Sequence, residues 1–246
     1  MLAGIFAYFY MTDRPEQAKW LTDTDRAVVR QQLEIDQKAQ GERHSDWRTL
    51  FGNPMVWLLI AVFFCLLCAN STLTFWIPTV IREAGFTSPM QVGWIAGAAY
   101  LLGAAGMIIN GRHSDHRGEV RWHFAGSALL GAVGMLALAF TMGMDSIPVI
   151  VALTAMVLAL VGTMSAIPVF WQMPNMLLSG GAAAVGVALI NSVANLAGFG
   201  APYLMGVIKA STGKVAPGLY LVAIVEALAA VLAIAFVARI QRRKNV

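Results

Sequence analysis

The sequence predicts an all-α membrane protein with six transmembrane helices and a polar segment ahead of them. Of its 246 residues, 58% are hydrophobic and only 12% are charged, whereas a soluble domain carries about 25% charged residues. The apolar residues form long runs, each near the roughly 20 residues that cross a bilayer. The 17 Lys and Arg residues lie almost entirely between these runs. They form no basic stripe, so nucleic acid is not a predicted partner.

The segment before the spans has two parts. Residues 1–11 are apolar but too short to cross the bilayer, and neither a basic start nor a cleavage pattern marks a signal peptide. We therefore interpret them as the end of a preceding transmembrane helix. Residues 12–53 are predicted to be a cytoplasmic loop, in which Thr22 and Asp25 resemble a capping box. They predict a short amphipathic helix over about residues 23–38, and the loop holds no catalytic constellation.

Six apolar segments are each long enough to span the membrane. They cover residues 55–81, 91–110, 123–142, 147–178, 182–208 and 217–238. The predicted six-helix bundle therefore occupies residues 54–239 and is followed by a basic cytoplasmic tail, residues 240–246.

The Lys and Arg residues give the bundle an orientation. Fourteen of the 17 lie in residues 12–53, in the connection after the second span, or at the C-terminal end. Only Arg82, Lys209 and Lys214 lie on the opposite side. Because positive residues gather in cytoplasmic loops, both ends of the chain are predicted to be cytoplasmic.

Polar side chains inside the spans mark a candidate site. Trp171 and Asn191 are 20 residues apart around a turn expected near residues 179–181. At a rise of 1.5 Å per residue, each would lie about 15 Å deep, near the bilayer midplane. Asn195 shares a helix face with Asn191, and Pro168 interrupts the facing helix. Broken helices with midplane polar groups are typical of transporter sites.

These positions have alternative interpretations. The asparagines would otherwise only bond neighbouring helices, and Trp171 would be a core aromatic. Asn70, Thr74 and Tyr100 are further candidates to bind substrate, although a threonine often bonds only its own helix backbone. Glu226 lies mid-depth in the last span and is either a proton carrier or a buried neutral acid.

Neither a metal nor a cofactor is predicted. Cys65 and Cys68 lie inside an apolar run, where they act as small packing residues. His113, His116 and His123 have no further ligands at a fitting spacing, so they indicate a solvated basic segment.

Residues 111–118 carry the pattern Gly-x-x-x-Asp-basic-x-Gly between the second and third spans, with His116 at the basic position. The pattern resembles the signature loop of the major facilitator superfamily, which joins the second and third helices of each six-helix half. The resemblance assigns four residues to a gating loop: Gly111, Asp115, Arg117 and Gly118.

Three further segments, residues 12–21, 75–81 and 188–203, are similar to the anion:cation symporter branch of that family. Its bacterial members include permeases for tartrate, phthalate and hydroxyphenylacetate. The resemblance covers essentially the whole chain and implies the C-terminal half of a twelve-helix transporter in the bacterial inner membrane. It places Trp171 and Asn191 at the substrate cavity. The twelfth helix of that family is usually peripheral, which lowers the weight on Glu226 as a proton carrier.

The implied function is proton-coupled symport of a small organic anion by alternating access, together with a missing N-terminal six-helix half. No span of this chain holds a central Arg or Lys, so a charge that binds a carboxylate would come from that half. One alternative is a non-transporting membrane fragment or assembly subunit. A membrane-embedded enzyme is less favoured, because the spans show no paired carboxylates, histidine cluster or activated serine. The carboxylate and the coupling ion, proton or sodium, stay open.

Overall fold

The computed structural model describes residues 21–41, 47–144, 146, 148–178 and 181–244. Throughout these ranges the regular structure is α-helical. The helices are α1 (Asp23–Gly41), α2 (Trp47–Gly52), α3 (Pro54–Glu83), α4 (Pro89–Arg117), α5 (Arg121–Gly143), α6 (Val149–Phe170), α7 (Gln172–Leu177), α8 (Gly181–Ala194), α9 (Ala197–Thr212) and α10 (Ala216–Lys244). The expected end of a preceding helix, residues 1–11, lies outside the described residues, as does the start of the expected loop.

Six helical segments are long and apolar enough to cross a membrane. Four are the single helices α3, α4, α5 and α10, and two are pairs, α6 with α7 and α8 with α9. The chain is thus a multi-pass membrane protein, and the predicted all-α fold with six spans is confirmed.

Helix α1 begins where the sequence pattern predicts. Thr22 Oγ1 donates to Asp25 Oδ2 at 2.6 Å, and the Asp25 backbone N–H donates back to Thr22 Oγ1 at 3.2 Å. This reciprocal cap satisfies an amide group that the first helical turn leaves unpaired. The helix then continues to Gly41, a little beyond its expected end.

The segment predicted as a gating loop is helical instead. α4 continues through residues 111–117, which contain no proline, and ends at Gly118. The φ of Gly118 is 60°, a left-handed conformation that favours glycine. The N–H of Glu119 donates to the Ser114 carbonyl and that of Gly118 to the Asp115 carbonyl, each at 3.2 Å. These two bonds form a Schellman cap, so only residues 118–120 connect α4 to α5.

The fourth span is interrupted between α6 and α7. Trp171 ends α6, midway between Pro168 and Pro174. Each proline removes a backbone donor from the helical ladder and crowds the carbonyl four residues earlier. The predicted interruption of this helix by proline is therefore present at Trp171.

The fifth span changes from α8 to α9 at Asn195 and Leu196. The backbone bonds tighten there, because Leu196 N–H donates to the Val193 carbonyl at 3.2 Å and Gly198 N–H to the Asn195 carbonyl at 2.9 Å. Such i to i+3 bonds in the middle of a helix often mark a hinge.

The closest helix contact in the bundle joins α5 and α6. A Cβ atom on Gly162 would collide with the backbone of Gly131, and one on Gly134 would collide with the backbone of Ala159. Small residues let helix backbones approach in lipid, where the hydrophobic effect does not drive association. α10 packs against α5, and we call α5, α6 and α10 the packed block. α3 lies between α10 and the α8–α9 pair.

Candidate functional site

Trp171 is a half-exposed aromatic side chain held in a cluster of rings. Its ring meets Phe63 edge-on at 5.0 Å between centroids and Phe170 at 5.4 Å. Phe63 and Phe170 stack at 4.3 Å. The ring of Trp171 is therefore fixed against α3 by packing, while part of it stays accessible.

Trp171 lies at the break between α6 and α7, where α4 contacts the fourth span. α6 has already run 22 residues at Phe170, a length of about 33 Å that crosses a hydrocarbon core. The next side chain, Gln172, donates from Nε2 to Asp115 Oδ1 in the last turn of α4 at 2.7 Å. The depth of about 15 Å counts from the turn near residues 179–181, and it stays a prediction.

Asn191 and Asn195 form an exposed pair near the middle of the α8–α9 span. Asn195 Nδ2 donates to the Asn191 carbonyl at 2.7 Å and to Asn191 Oδ1 at 2.9 Å. Both bonds stay on one helix face. In the part of the chain that the structure describes, the pair makes no hydrogen bond to another helix. Within the described residues, the asparagines therefore bond along their own helix.

The remaining candidates lie near the midpoints of α3 and α4. Thr74 Oγ1 donates to the Asn70 carbonyl at 2.8 Å, so its hydroxyl is used within its own helix, as the alternative interpretation expects. The side chain of Asn70 is half-buried. Tyr100 is also half-buried and packs against the apolar cluster that contains Leu73 and Ile77. Within the described residues, no hydrogen bond joins these side chains to the asparagine pair of α8.

The signature residues hold the end of α4 against the interrupted span. Gly111 is buried, and a Cβ atom there would lie 3.6 Å from the Pro168 ring. One residue earlier, Asn110 Nδ2 donates to the Ser165 carbonyl of α6 at 2.9 Å. Asp115 accepts the bond from Gln172 described above. These contacts connect α4 to both sides of the break at Trp171.

The other two signature residues have simpler surroundings. The side chain of Arg117 is exposed, and Gly118 supplies the helix cap. Sequence reasoning missed Gln172, although an amide side chain beside Trp171 in an apolar span was a visible signal. Its partner Asp115 is 57 residues away, a separation that periodicity does not resolve.

A second polar chain begins at Glu119, between α4 and α5. His123 Nδ1 lies 2.7 Å from Glu119 Oε2, and His123 Nε2 lies 2.7 Å from His113 Nδ1. The Trp122 backbone N–H donates to Glu119 Oε1 at 2.8 Å. Burial raises the pKa of Glu119, but the hydrogen bonds from Trp122 and His123 outweigh burial and hold that pKa below its usual range. His113 and His123, predicted to lie in a solvated basic segment, are therefore linked.

An open cavity of about 300 Å³ adjoins this chain. Its walls include His123, Asn110 and Ser127, which are polar, and Trp122 and Leu130, which are apolar. The cavity lies between α4 and α5 and does not include the asparagine pair.

Comparison with known proteins gives a consistent result. A family model described as Major Facilitator Superfamily matches residues 1–202. A relative from Agrobacterium vitis, named as a tartrate transporter, is 40% identical over 223 residues, which are 91% of this chain and 50% of the relative.

Two further relatives match nearly the whole chain. The metabolite transport protein NicT of Pseudomonas putida is 33% identical over 99% of this chain and 55% of its own length. A quinolone resistance transporter of Acinetobacter baumannii is 29% identical over 100% of this chain and 56% of its own length. The chain therefore spans about half the length of the curated relatives that it matches.

Proposed function

The chain belongs to the Major Facilitator Superfamily, and on that premise we propose that it is the C-terminal half of a proton-coupled symporter for small organic anions. The relatives are named as transporters, and the chain spans about half of each. Their names give a membrane-embedded enzyme no support. The proposed location is the bacterial inner membrane, with both ends of the chain in the cytoplasm.

The observation that carries the proposal is the exposed carboxamide pair at the break between α8 and α9. Amide N–H groups donate to carboxylate and hydroxyl oxygens, which a hydroxy acid presents together. Asn191 Nδ2 donates to no described residue, so it is available to a substrate. Polar groups at this depth are unfavourable against lipid and favour a water-filled path or a protein neighbour. Asn70 and Tyr100, at similar depth on α3 and α4, are the next candidates to line that path.

Trp171 takes a different role in this proposal. Trp171 lies near the end of α6, beside the contact between Gln172 and Asp115. In this proposal it closes one end of the substrate cavity and does not form the centre of that cavity. The half-exposed ring would cover a bound anion from the side of the signature residues. Movement of α4 would then reach Trp171 through the signature residues, which are Gly111, Asp115, Arg117 and Gly118.

A second six-helix half is the proposed partner. The central turns of the six spans contain no Lys or Arg, and a carboxylate needs a cationic partner when it leaves water. The faces of α4 and of α8–α9 are largely exposed, with Trp94, Leu101 and Phe199 among their exposed side chains. We place the second half on these faces. Alternating access would rock the halves, with bending at Trp171 and Asn195.

Proton coupling rests on the similarity to the anion:cation symporter branch. The choice of organic anion as substrate rests on that similarity and on the name of the Agrobacterium relative. A hydroxy-dicarboxylate is therefore the first substrate to test.

The test uses proteoliposomes that hold the chain alone, or the chain with the N-terminal half of the Agrobacterium relative. We expect uptake of radiolabelled tartrate under an inward proton gradient only when both halves are present. Asn191→Ala should reduce that uptake about tenfold, the effect of one hydrogen bond to a charged group. The matched control is Ser192→Ala, an exposed neighbour on the same helix.

Each outcome has a defined meaning. Uptake by the chain alone would overturn the proposal that transport needs a second six-helix half. If the paired halves neither bind nor transport tartrate, the organic-anion assignment fails. Equal uptake by Asn191→Ala and Ser192→Ala would remove the carboxamide pair from the site.

A further inference from the structure

One carboxyl group is buried inside the packed block, apart from the proposed substrate path. Glu226 of α10 is 0% exposed. Its Oε1 lies 2.7 Å from Thr163 Oγ1 of α6. Its Oε2 has no hydrogen-bond partner among the described residues. A Cβ atom on Gly131 of α5 would collide with this carboxyl group, so three helices meet at Glu226.

The oxygen of Thr163 makes two short contacts. Thr163 Oγ1 lies 2.7 Å from Glu226 Oε1 and 2.8 Å from the Ala159 carbonyl. A hydroxyl group supplies one proton, and a carbonyl supplies none. A single hydroxyl proton shared between two acceptors makes two weakened bonds, whereas both contacts are full hydrogen bonds when Glu226 carries a proton on Oε1 and donates it to Thr163. Thr163 then donates its own proton to Ala159.

The surroundings of Glu226 favour the same protonation state. α10 is packed against α3, α5, α7 and α9 and bonds to α6 through Thr163. Besides Glu226, the titratable groups with described side chains on these helices and on α10 are Cys65, Cys68, Arg82, Glu83, Arg121, His123, Tyr203, Lys209, Tyr220, Arg239 and Arg242. None of these described side chains bonds to Glu226, and Lys209 pairs instead with Glu83 at 2.6 Å. A buried carboxylate without a cation or a second donor is strongly unfavourable, whereas the neutral acid is not.

We propose that Glu226 is a fixed, protonated acid that positions α6 by donating a hydrogen bond to Thr163. The bond holds α10 against the glycine crossing, where Gly131 of α5 meets Gly162 of α6. Thr163 is eight residues before Trp171, or about 12 Å along the helix. Glu226 is therefore a positioning residue for Trp171, the side chain to which the proposed function assigns closure of the substrate cavity. The hydrogen bond stands by itself, while its effect on the cavity rests on the proposed function.

The first measurement is infrared spectroscopy of the purified chain in lipid nanodiscs. A protonated carboxylic acid has a carbonyl stretch distinct from that of a carboxylate. We expect such a band at neutral and mildly alkaline pH, and we expect Glu226→Gln to remove it. In Thr163→Val the acid loses its acceptor, so the band should shift. Thr141→Val is the matched control, because Thr141 is also buried but donates only to the Leu138 carbonyl of its own helix.

Thermal unfolding of the same samples provides the second readout. Thr163→Val leaves a buried donor unpaired and should lower the midpoint by about 5 °C. Thr141→Val should have a much smaller effect. Glu226→Gln keeps a donor for Thr163, since its amide replaces the acid O–H, and should unfold close to the wild-type midpoint.

The inference is overturned if the band is missing, if Glu226→Gln leaves it in place, or if Thr163→Val leaves it unshifted. It is also overturned if Thr163→Val and Thr141→Val unfold alike. These readouts do not involve transport. If the band behaves as expected but the paired halves do not take up organic anions, the proposed function fails and the protonated acid stands. If the paired halves take up organic anions but the band is missing, the protonated acid fails and the proposed function stands.

Discussion

Helices α4 and α5 are equally apolar over their most hydrophobic stretches, but 61% of that stretch is buried in α5 and only 17% in α4. Both helices also contain several glycines. In α5, a Cβ on Gly131 or Gly134 would meet the backbone of α6. In α4, a Cβ on Gly103 or Gly106 would meet only side chains of α6 within 3 Å, and Gly93 and Gly97 have no atom within 4 Å of the position of an added Cβ.

This difference separates two consequences of an apolar sequence. Hydropathy places a helix in the bilayer, but it does not determine what covers the helix there. The packed block is covered by its own chain through glycine contacts. The described residues leave the α4 face and the α8–α9 face, with its exposed asparagines, largely uncovered. The proposed neighbour on these faces is a second six-helix half.

The largest expected effect comes from adding a methyl group to each kind of glycine. Gly131→Ala should lower the free energy of unfolding by about 3 kcal/mol, because the new Cβ meets the Thr163 backbone nitrogen and the Glu226 carboxyl group. Gly97→Ala should change it by less than about 0.5 kcal/mol. Unfolding of both variants in mixed micelles, followed by tryptophan fluorescence, measures the difference.

A second control stays within α5. Gly126 is on the same helix as Gly131 but has no atom within 4 Å of an added Cβ. Gly126→Ala should therefore behave like Gly97→Ala. Equal destabilisation by Gly131→Ala and Gly126→Ala would show that the effect comes from α5 in general and not from the glycine crossing.

An intermediate effect is expected where α4 contacts α7, the helix that continues the fourth span beyond the break at Trp171. Asp115→Ala removes the acceptor of Gln172 at the end of α4, and should lower the free energy of unfolding by about 1 kcal/mol. The exposed Arg117→Ala should have less than about half that effect. In a double-mutant cycle, Asp115→Ala and Gln172→Ala should be less than additive. Full additivity would show that the bond between Asp115 and Gln172 does not couple α4 to α7.

Sequence reasoning predicted some of these features for definite physical reasons. Long apolar runs and the capping pattern at Thr22 and Asp25 are local signals, so the six spans and the start of α1 were predictable. The continuation of α4 to Arg117 was also predictable, since Gly118 is a typical helix-ending residue and no proline lies within residues 90–117. The interpretation of this segment as a connection followed from its charged residues and from a second span that was expected to end at residue 110, and the family pattern agreed with it.

Other features depend on distances across the bundle. The bond between Asp115 and Gln172 and the burial of Glu226 beside Gly131 join residues that are 57 and 95 positions apart. No periodicity specifies which residue of α5 meets which residue of α10. The depth of Trp171 in the membrane stays a prediction, since it depends on where the bilayer lies relative to α6.

The smallest expected effect concerns the start of α5, the first turn of the packed block. Glu119 accepts hydrogen bonds from the backbone N–H groups of Trp122 at 2.8 Å and His123 at 3.3 Å. A carboxylate in this place satisfies amides that the first helical turn leaves unpaired and interacts favourably with the helix dipole. These bonds explain why the pKa of Glu119 is lowered although burial raises it. The folded state therefore prefers the ionised form.

The sign of the pH dependence follows from that preference. The stabilisation by Glu119 is complete above the ordinary pKa of a glutamic acid, about 4.3, and it is lost as the pH falls through the lower pKa of the folded state. The carboxylate is about one-third exposed, so solvent screening limits the contribution to about 0.5 kcal/mol. Wild type should thus be slightly more stable than Glu119→Gln at neutral pH and equal to it in acid. A difference that grows with acidity, or that is unaffected by added salt, would contradict this account of the helix start.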